Sequence, residues 1–364
     1  KLTHASSILY QITELFHRVF CLFSPQIYDM NRNYSTKKRI FATMKPIRLM
    51  TYRRGSTLPP LPGNSLPNSS ELFHVYEQTT GYAPLLIVAF IDEKPVAKLL
   101  AVIRKSNRLF PPSFIKRCEL FGTGEYFDNS LSKDELFGMM LEHLTEEVSA
   151  HCFLIEVRNL PTALFGYKYF RRNRYFPVNW LRVYNSLHSL SPEERLEPFR
   201  HRQIARALEQ GVSLKRAETE AETEAALQML RRNYSSKLRK HFPDLQLFRL
   251  LSSQRNGQEA ANTFLVEYKG KVIGASFCMY SNDYVYLCFS AGLRKPYAWL
   301  HPHVLAVWTA ITHAHEQGYK HFEFVDAGLP FRQLGYRRFI LSFGGKQVST
   351  RRWFRFRWSW LNKL

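Results

Sequence analysis

The chain has 364 residues, of which 45% are hydrophobic and 15% aromatic, and its formal net charge at pH 7 is +21. This length fits two ordinary domains, and the apolar content excludes a chain that is disordered by composition. The excess of positive charge attracts polyanions, so tRNA and an anionic membrane surface are the expected partners, with a basic surface that has no specific partner as the alternative.

The N-terminal segment of residues 1–43 precedes Met44 and is apolar in part. No stretch of the sequence approaches the roughly 18 consecutive apolar residues that cross a membrane. We therefore predict that residues 1–43 are a non-native extension, the alternative being an amphipathic helix on a membrane surface. The five cysteines form no Cys-x-x-Cys pair. This favours a reducing, cytoplasmic location, and peripheral attachment to the inner face of the membrane stays open.

The first half of the chain predicts the order helix, strand, strand, helix, strand. Ser70 is predicted to cap the first helix, and the apolar residues of the second helix share one face. A turn-forming Asp-Glu-Lys-Pro segment joins the first two strands. The predicted elements are a helix at 71–78, strands at 85–90 and 96–103, a helix at 133–149 and a strand at 153–157.

The second half repeats this order after a serine-proline step near Leu190. The two halves share no visible sequence identity, so the repeated order indicates an old duplication. The predicted elements are helices at 198–210 and 218–234, strands at 264–268, 272–280 and 284–290, a helix at 302–317 and a strand at 321–325.

Four segments carry a resemblance to a known family. The first is residues 314–322, at the end of a long helix, and the second is Asp326-Ala327-Gly328, directly after a strand. The third is Arg338-Phe339 followed by Phe343-Gly344-Gly345-Lys346, and the fourth is the basic helix 199–212. Together they resemble the second GNAT domain of the FemABX-like proteins, which carry two GNAT domains in tandem. The resemblance implies an α/β fold of two tandem GNAT-like domains with mixed, twisted sheets. We place the first domain at 44–190 and the second, with the site, at 191–364.

The donor-binding loop is the first part of the site that the sequence addresses. Ordinary GNAT enzymes grip the pyrophosphate of acetyl-CoA with a glycine-rich loop and a helix N-terminus. Residues 292–302 have one glycine and lack that spacing. The resemblance implies an aminoacyl-tRNA donor instead, with no permanently bound cofactor. Arg294, Lys295 and Tyr297 precede the helix and are predicted to bind substrate.

The candidate catalytic residues are Asp326 and Glu323, at the end of the strand 321–325. A carboxylate at this position can orient or deprotonate an acceptor amine. The alternative is that Asp326 only caps a turn with Ala327 and Gly328. The resemblance implies catalysis that depends mainly on positioning, so a dedicated base is not required.

The acceptor-binding residues are expected near the C-terminus. The resemblance implies a lysine after Phe339 that meets a substrate phosphate, but Ile340 stands there. This departure puts a nucleotide-linked acceptor in doubt and leaves a lipid amine or a lipid-linked precursor equally suitable. The predicted substrate-binding residues of this region are Arg332, Tyr336, Arg337, Arg338, Phe339 and Lys346.

The segment from Arg351 to Trp360 alternates in part between aromatic and basic residues. It fits a final strand of the sheet, a hook in a membrane interface, or a platform for nucleic-acid bases. The first two interpretations are compatible with each other.

Histidine pairs at 301 and 303 and at 313 and 315 do not indicate a metal site, because residues two apart on a helix point in different directions. The leading hypothesis is an acyltransferase or aminoacyltransferase that forms an amide on a cell-envelope precursor or lipid amine. One alternative is an N-acyltransferase that uses acyl-CoA or acyl carrier protein. The other is a GNAT-like module without catalytic activity that binds tRNA or a membrane.

Overall fold

The computed structural model describes residues 46–105, 116–233, 243–253, 260–293, 295–331 and 335–362. The predicted extension at residues 1–43 lies outside these residues, and so do two predicted substrate-binding residues, Arg294 and Arg332. Within this part of the chain no helix has the length and apolar character needed to cross a membrane.

The predicted helices are present, and their ends have clear causes. The Ser69 hydroxyl accepts a hydrogen bond from the Leu72 amide, so the cap of the first helix lies one residue before the predicted Ser70. Ser132 caps the second helix in the same way. The helices are α1 (Ser70–Gln78), α2 (Lys133–Ser149), α3 (Tyr167–Arg172), α4 (Pro192–Arg195), α5 (Pro198–Glu209), α6 (Glu220–Asn233), α7 (Leu245–Ser253), α8 (Pro302–Glu316) and α9 (Gly335–Leu341).

The predicted strands are also present, and the final strand that was one interpretation of the segment from Arg351 to Trp360 is observed at Lys346–Phe356. The structure adds five strands that the sequence analysis did not assign, at Arg48–Tyr52, Arg117–Phe121, Glu125–Tyr126, Phe176–Ser186 and Ser213–Arg216. The strands are β1 (Arg48–Tyr52), β2 (Tyr82–Ile91), β3 (Lys94–Arg104), β4 (Arg117–Phe121), β5 (Glu125–Tyr126), β6 (Leu154–Arg158), β7 (Phe176–Ser186), β8 (Ser213–Arg216), β9 (Ala261–Tyr268), β10 (Lys271–Ser281), β11 (Tyr284–Gly292), β12 (His321–Phe324) and β13 (Lys346–Phe356).

The strands of the described residues form one continuous mixed sheet. Its order is β1-β2-β3-β4-β6-β13-β7-β12-β11-β10-β9-β8, with β5 beside β3. The strands β1 to β7 define the first unit and β8 to β13 the second. Each unit has four antiparallel strands, a helix, a strand parallel to the fourth, a short helix and a last strand. This repeat confirms the predicted tandem GNAT-like fold.

The last strands of the two units are exchanged. Strand β7 ends the first unit but pairs with β12 of the second, and β13 ends the second unit but pairs with β6 of the first. The two exchanged strands also pair with each other and so join the halves of the sheet. The boundary near Leu190 stays a prediction and falls between β7 and β8, while in space each unit completes the sheet of the other.

Three main hydrophobic cores hold the units. Helix α2 covers one core in the first unit, and α8 covers another in the second. The third core combines α1, α6 and α7 with strands of both units, including Val88 of β2 and Phe277 of β10. Burial of apolar surface from both units in one core stabilises their packing against each other.

In the second unit, the pairing between β11 and β12 stops before β11 ends. Strands β11 and β12 pair from Tyr284 with His321 to Leu287 with Phe324, but β11 continues to Gly292. The register between β10 and β11 shifts at Cys288, which is a β-bulge. In the first unit β4 pairs with β6 along its whole length. The open strand end therefore distinguishes the second unit. The bulge lies in the same strand, and bulges often lie next to active sites.

Candidate active site

A cavity of about 1060 Å³ lies between the two units at the open end of β11. This volume is at the upper end of the range for small-molecule sites, which form preferentially at domain interfaces. Part of its wall is apolar and part is charged. The apolar part includes Leu100 and Leu120 of the first unit, Leu247 of α7, and Met279, Leu287 and Phe289 of the second unit.

The charged part of the wall is a row of side chains from neighbouring strands, which we call the charged row. It crosses from β3 of the first unit to the turn after β12 of the second. Charges of opposite sign alternate along much of it, so that each carboxylate has a guanidinium within ion-pair distance. The charged row consists of Arg104, Arg117, Glu119, Glu156, Arg158, Arg352 and Asp326.

The first-unit end of the charged row is centred on Glu119. Its carboxylate lies 3.4 Å from Arg104 and 3.6 Å from Arg158. Burial opposes its ionisation, but the charges of Arg104, Arg158 and Arg117 outweigh burial and lower its pKa. Three guanidinium groups therefore face one carboxylate, and this end of the cavity is positively charged.

Two stacked tyrosines complete the first-unit end. The rings of Tyr76 and Tyr82 are 5.5 Å apart and nearly parallel, and the Arg104 guanidinium lies 5.3 Å from the Tyr82 ring centroid. Burial raises the pKa of both phenols, so they stay neutral and can donate hydrogen bonds. The stack gives this end of the cavity a flat aromatic surface beside its cations.

The second-unit end of the charged row contains Asp326, which reaches the cavity. One carboxylate oxygen accepts hydrogen bonds from the Trp180 indole (2.9 Å) and the Gly328 amide (3.0 Å), and the other lies 3.5 Å from Arg352. Arg352 also lies 3.2 Å from Glu156 and 3.9 Å from the Trp180 ring centroid. Asp326 therefore caps a turn, as the alternative interpretation held, and also presents its carboxylate to the cavity.

Glu323 has a different environment from Asp326. Its side chain is 1% exposed and does not line the cavity. Arg182 donates to both of its oxygens, at 2.8 and 2.5 Å, and also to the carbonyl of Leu160. Burial raises the pKa of this carboxyl while Arg182 opposes the rise. A catalytic role for Glu323 stays an untested prediction, and the buried ion pair favours a role in holding β7 to β12.

An aromatic cluster borders the second-unit end of the cavity. Phe339 stacks with His303 at 5.0 Å and with Tyr336 at 6.2 Å, and the Arg200 guanidinium lies 5.0 Å from the Phe339 ring centroid. These residues line the cavity together with Lys295. The predicted substrate-binding residues Lys295, Tyr336 and Phe339 are thus brought together. Arg200 was not among the predicted site residues, although the basic helix that contains it was recognised.

The remaining predicted binding residues within the described ranges lie outside the cavity wall. Arg337 donates to the carbonyls of Ala327 and Leu329 and so fixes the turn that carries Asp326. The side chains of Arg338 and Lys346 are exposed. Tyr297 packs beside Tyr268. Their roles in binding substrate stay predictions.

The Phe343-Gly344-Gly345 segment has a structural role in this fold. Phe343 is buried, and its carbonyl accepts a hydrogen bond from Asn185 of β7 at 2.6 Å. Gly344 has φ +82°, and a side chain there would collide with the Arg195 carbonyl. The motif therefore closes the chain tightly against β7 and α4 before β13 begins.

The loop before α8 uses some of its own amide groups in turns. The amides of Leu300 and His301 donate within a short turn, and those of Val304 and Leu305 donate to the His301 carbonyl. Pro302 has no amide hydrogen. Part of the backbone donors at the start of α8 is therefore engaged within the chain, and the lack of a pyrophosphate cradle stays a prediction from the sequence.

First-unit residues of the site were missed by the sequence analysis. Arg104 and Arg158 end their strands and Glu119 lies in the middle of β4, all in the half of the chain to which no site was assigned. A signal was present, since charged residues interrupt otherwise buried strands there. For metals, no cluster of three or more His, Cys, Asp or Glu ligands occurs in the described part of the chain.

The fold and the cavity define a tandem GNAT-like protein, and comparisons with known proteins agree. A family model described as an acetyltransferase (GNAT) domain matches residues 200–333, in the second unit. The chain is similar to the crystal structure of FemX, with a TM-score of 0.59 and 11% identity over 80% of this chain and 92% of that chain.

Two further solved structures share the fold. One is the C-terminal domain of a putative lysylphosphatidylglycerol synthetase from Agrobacterium fabrum, with a TM-score of 0.53 and 11% identity over 80% of this chain and 88% of that one. The other is a tandem GNAT protein from the clavulanic acid biosynthesis pathway, with a TM-score of 0.52 and 12% identity over 86% and 99%. No curated protein matches the sequence. The predicted resemblance to FemABX-like proteins is confirmed at the level of the fold.

Proposed function

We propose that the chain is an acyltransferase of the FemABX type, which transfers an aminoacyl group from tRNA to an amine of an anionic envelope precursor or lipid. The observation that carries this proposal is the cavity between the units. Its wall contains both the unpaired end of β11 in the second unit and the charged row, which spans both units. An acyl donor and an amine acceptor can meet there from opposite ends.

The proposed reaction is aminolysis of an ester. The acceptor amine attacks the ester carbonyl, a C–N bond forms, the C–O bond to the ribose breaks, and the ribose hydroxyl leaves with a proton. Asp326 accepts the proton that the amine loses, or holds the amine by a hydrogen bond. Cys288 has no register partner in β10, so its backbone amide at the bulge is our candidate for stabilising the oxyanion.

The choice of donor follows from the loop before α8. This loop lacks the glycine spacing of a pyrophosphate cradle, and two of its amides are used within turns, which weakens the case for the pyrophosphate of CoA. Lys295 is exposed at this loop and lines the cavity, and the whole chain carries a net charge of +21. These cations suit the phosphates of tRNA. Acyl-CoA and acyl carrier protein are the alternative donors.

The acceptor class follows from the first-unit end of the cavity. Arg104, Arg117 and Arg158 outnumber the two carboxylates near them, Glu119 and Glu156, and Glu156 also pairs with Arg352. A phosphate or carboxylate of the acceptor therefore gains a charge-assisted contact there. The apolar part of the wall suits an acceptor that also has a hydrocarbon portion. A phosphate-bearing lipid amine or lipid-linked precursor combines both properties.

The test is a donor-discharge assay. The purified protein is incubated with labelled aminoacyl-tRNA and an envelope lipid-plus-precursor extract, with labelled acyl-CoA and acyl carrier protein in parallel tubes. We expect label to move from tRNA into the extract. Transfer only from acyl-CoA or acyl carrier protein would replace the proposed donor. A lack of transfer from all three, with intact tRNA binding, would favour the module without catalytic activity.

A further inference from the structure

The C-terminal end of β13 carries an exposed aromatic surface that the proposed reaction does not use. Trp358 and Trp360 are 52% and 60% exposed. Phe153 is half-buried, and its ring centroid lies 5.4 Å from that of Trp358. We call Phe153, Trp358 and Trp360 the aromatic tip. Burial of such large rings against a partner removes much apolar area from water, so this surface suits a partner.

The aromatic tip is held in a fixed turn. After β13 the chain forms a short 3-10 turn over Ser359–Asn362. The Asn362 side chain accepts from the Phe356 amide at 2.7 Å and donates to the Phe356 carbonyl at 2.8 Å. Leu361 packs on the small core beneath, while the two tryptophans stay exposed. The fold therefore presents the indoles instead of tucking them into the nearby core.

Cations surround the aromatic tip. Arg357 precedes Trp358 and is exposed, and Arg171 and Arg174 at the end of α3 line a depression together with Ser359 and Asn362. Within the described ranges, none of these three arginines lies in ion-pair distance of a carboxylate, whereas nearby Arg172 pairs with Glu142 at 3.6 Å. The tip thus combines interfacial aromatic residues with free positive charge.

We propose that the aromatic tip and its arginines dock the protein on an anionic membrane surface. Tryptophan prefers the headgroup level of a bilayer, where its ring is buried and its N–H stays hydrated, and arginines nearby gain from anionic lipid. A single-stranded nucleic acid needs a cationic groove that follows its backbone between stacking residues. Here Trp360 lies on the turn Ser359–Asn362 and Trp358 directly precedes it, with cations at one side. This compact arrangement favours a lipid surface.

The test is co-sedimentation of the full chain with vesicles of phosphatidylcholine, with and without phosphatidylglycerol. We expect binding only to the phosphatidylglycerol vesicles. The variant W358S/W360S should lose about tenfold or more in partition coefficient, and R171Q/R174Q should lose roughly 25-fold, at about fivefold for each cation. The matched control is W299S, since Trp299 is 53% exposed beside Tyr268 of the second unit. It should bind like the wild type.

The outcomes separate the alternatives without any activity measurement. W358Y/W360Y should recover most of the binding, and thermal melting should show that all variants are folded. Equal loss in W299S, or vesicle binding that W358S/W360S leaves unchanged, would overturn the proposal. If W358S/W360S loses binding to a tRNA mixture while its vesicle binding stays intact, the aromatic tip binds nucleic acid, and this result would also overturn the proposal.

Discussion

Glu119 shows how single residues set the charge of the cavity. Burial alone would raise the pKa of this carboxyl, but Arg104, Arg158 and Arg117 outweigh burial and lower it. A carboxyl with a lowered pKa in the folded state adds stability above its unfolded pKa. This stability is lost as the pH falls through the folded pKa. The ion pairs of Glu119 are therefore stabilising near neutral pH and weaken in acid.

We predict that Glu119→Gln lowers the free energy of unfolding by about 2–3 kcal/mol near neutral pH, because partly buried arginines lose their counter-charge. The difference from the wild type should shrink below about pH 4, as the wild-type carboxyl becomes protonated. Urea denaturation over a pH series measures it. Glu93→Gln, at an exposed pair with Arg48, should change stability by less than about 1 kcal/mol. A difference that grows in acid would contradict this account.

At the scale of elements, strand β13 belongs to the second unit by sequence but supports the core of the first. It ends the second unit, yet Trp353 is completely buried in the core of the first. The Trp353 ring stacks on Phe170 of α3, with centroids 4.5 Å apart. The first unit therefore depends on a strand that the chain supplies last.

We predict that Trp353→Ala lowers the free energy of unfolding by about 3–5 kcal/mol, the usual cost of such a cavity. Amides of α2 and β6 in the first unit should lose hydrogen-exchange protection. Trp299→Ala, an exposed site, should cost less than about 0.5 kcal/mol. Loss of protection confined to the second unit would show that β13 does not support the first.

The elements also show how far sequence reasoning reaches. Helix α2 was predicted with its observed bounds, Lys133–Ser149, because its apolar periodicity is a local signal. The pairing of β7 with β12 was not predicted, since register with a distant strand is a tertiary property. In the site, the aromatic signals at Tyr336 and Phe339 were visible, whereas the Arg104–Glu119 pair joins strands whose contact no local pattern encodes.

At the scale of the molecule, the two units are joined by their strands and by a shared core. They share a continuous sheet, exchange their last strands and contribute to a common core. Separation of the units would expose that core and leave the edges of both halves unpaired. The site lies between the units, so its geometry depends on their fixed relation.

We predict a single unfolding transition for both units. Hydrogen exchange in increasing denaturant should give amides of α2 and α8 the same free energy of global opening, because neither helix keeps its core when the sheet divides. Unfolding curves followed by circular dichroism and by tryptophan fluorescence should then have the same midpoint. Two separate transitions would show that the exchanged strands do not couple the units.

The central claim is that acyl transfer takes place in the cavity between the units, at Asp326. The most direct test compares the single-turnover transfer rate of the wild type with those of Asp326→Asn and Asp283→Asn. Asp283 is a surface carboxylate paired with Lys320 at 3.0 Å. We predict that Asp326→Asn slows transfer by about a hundredfold or more while acceptor binding stays nearly unchanged, and that Asp283→Asn transfers at the wild-type rate. Transfer by Asp326→Asn at the wild-type rate would contradict the claim.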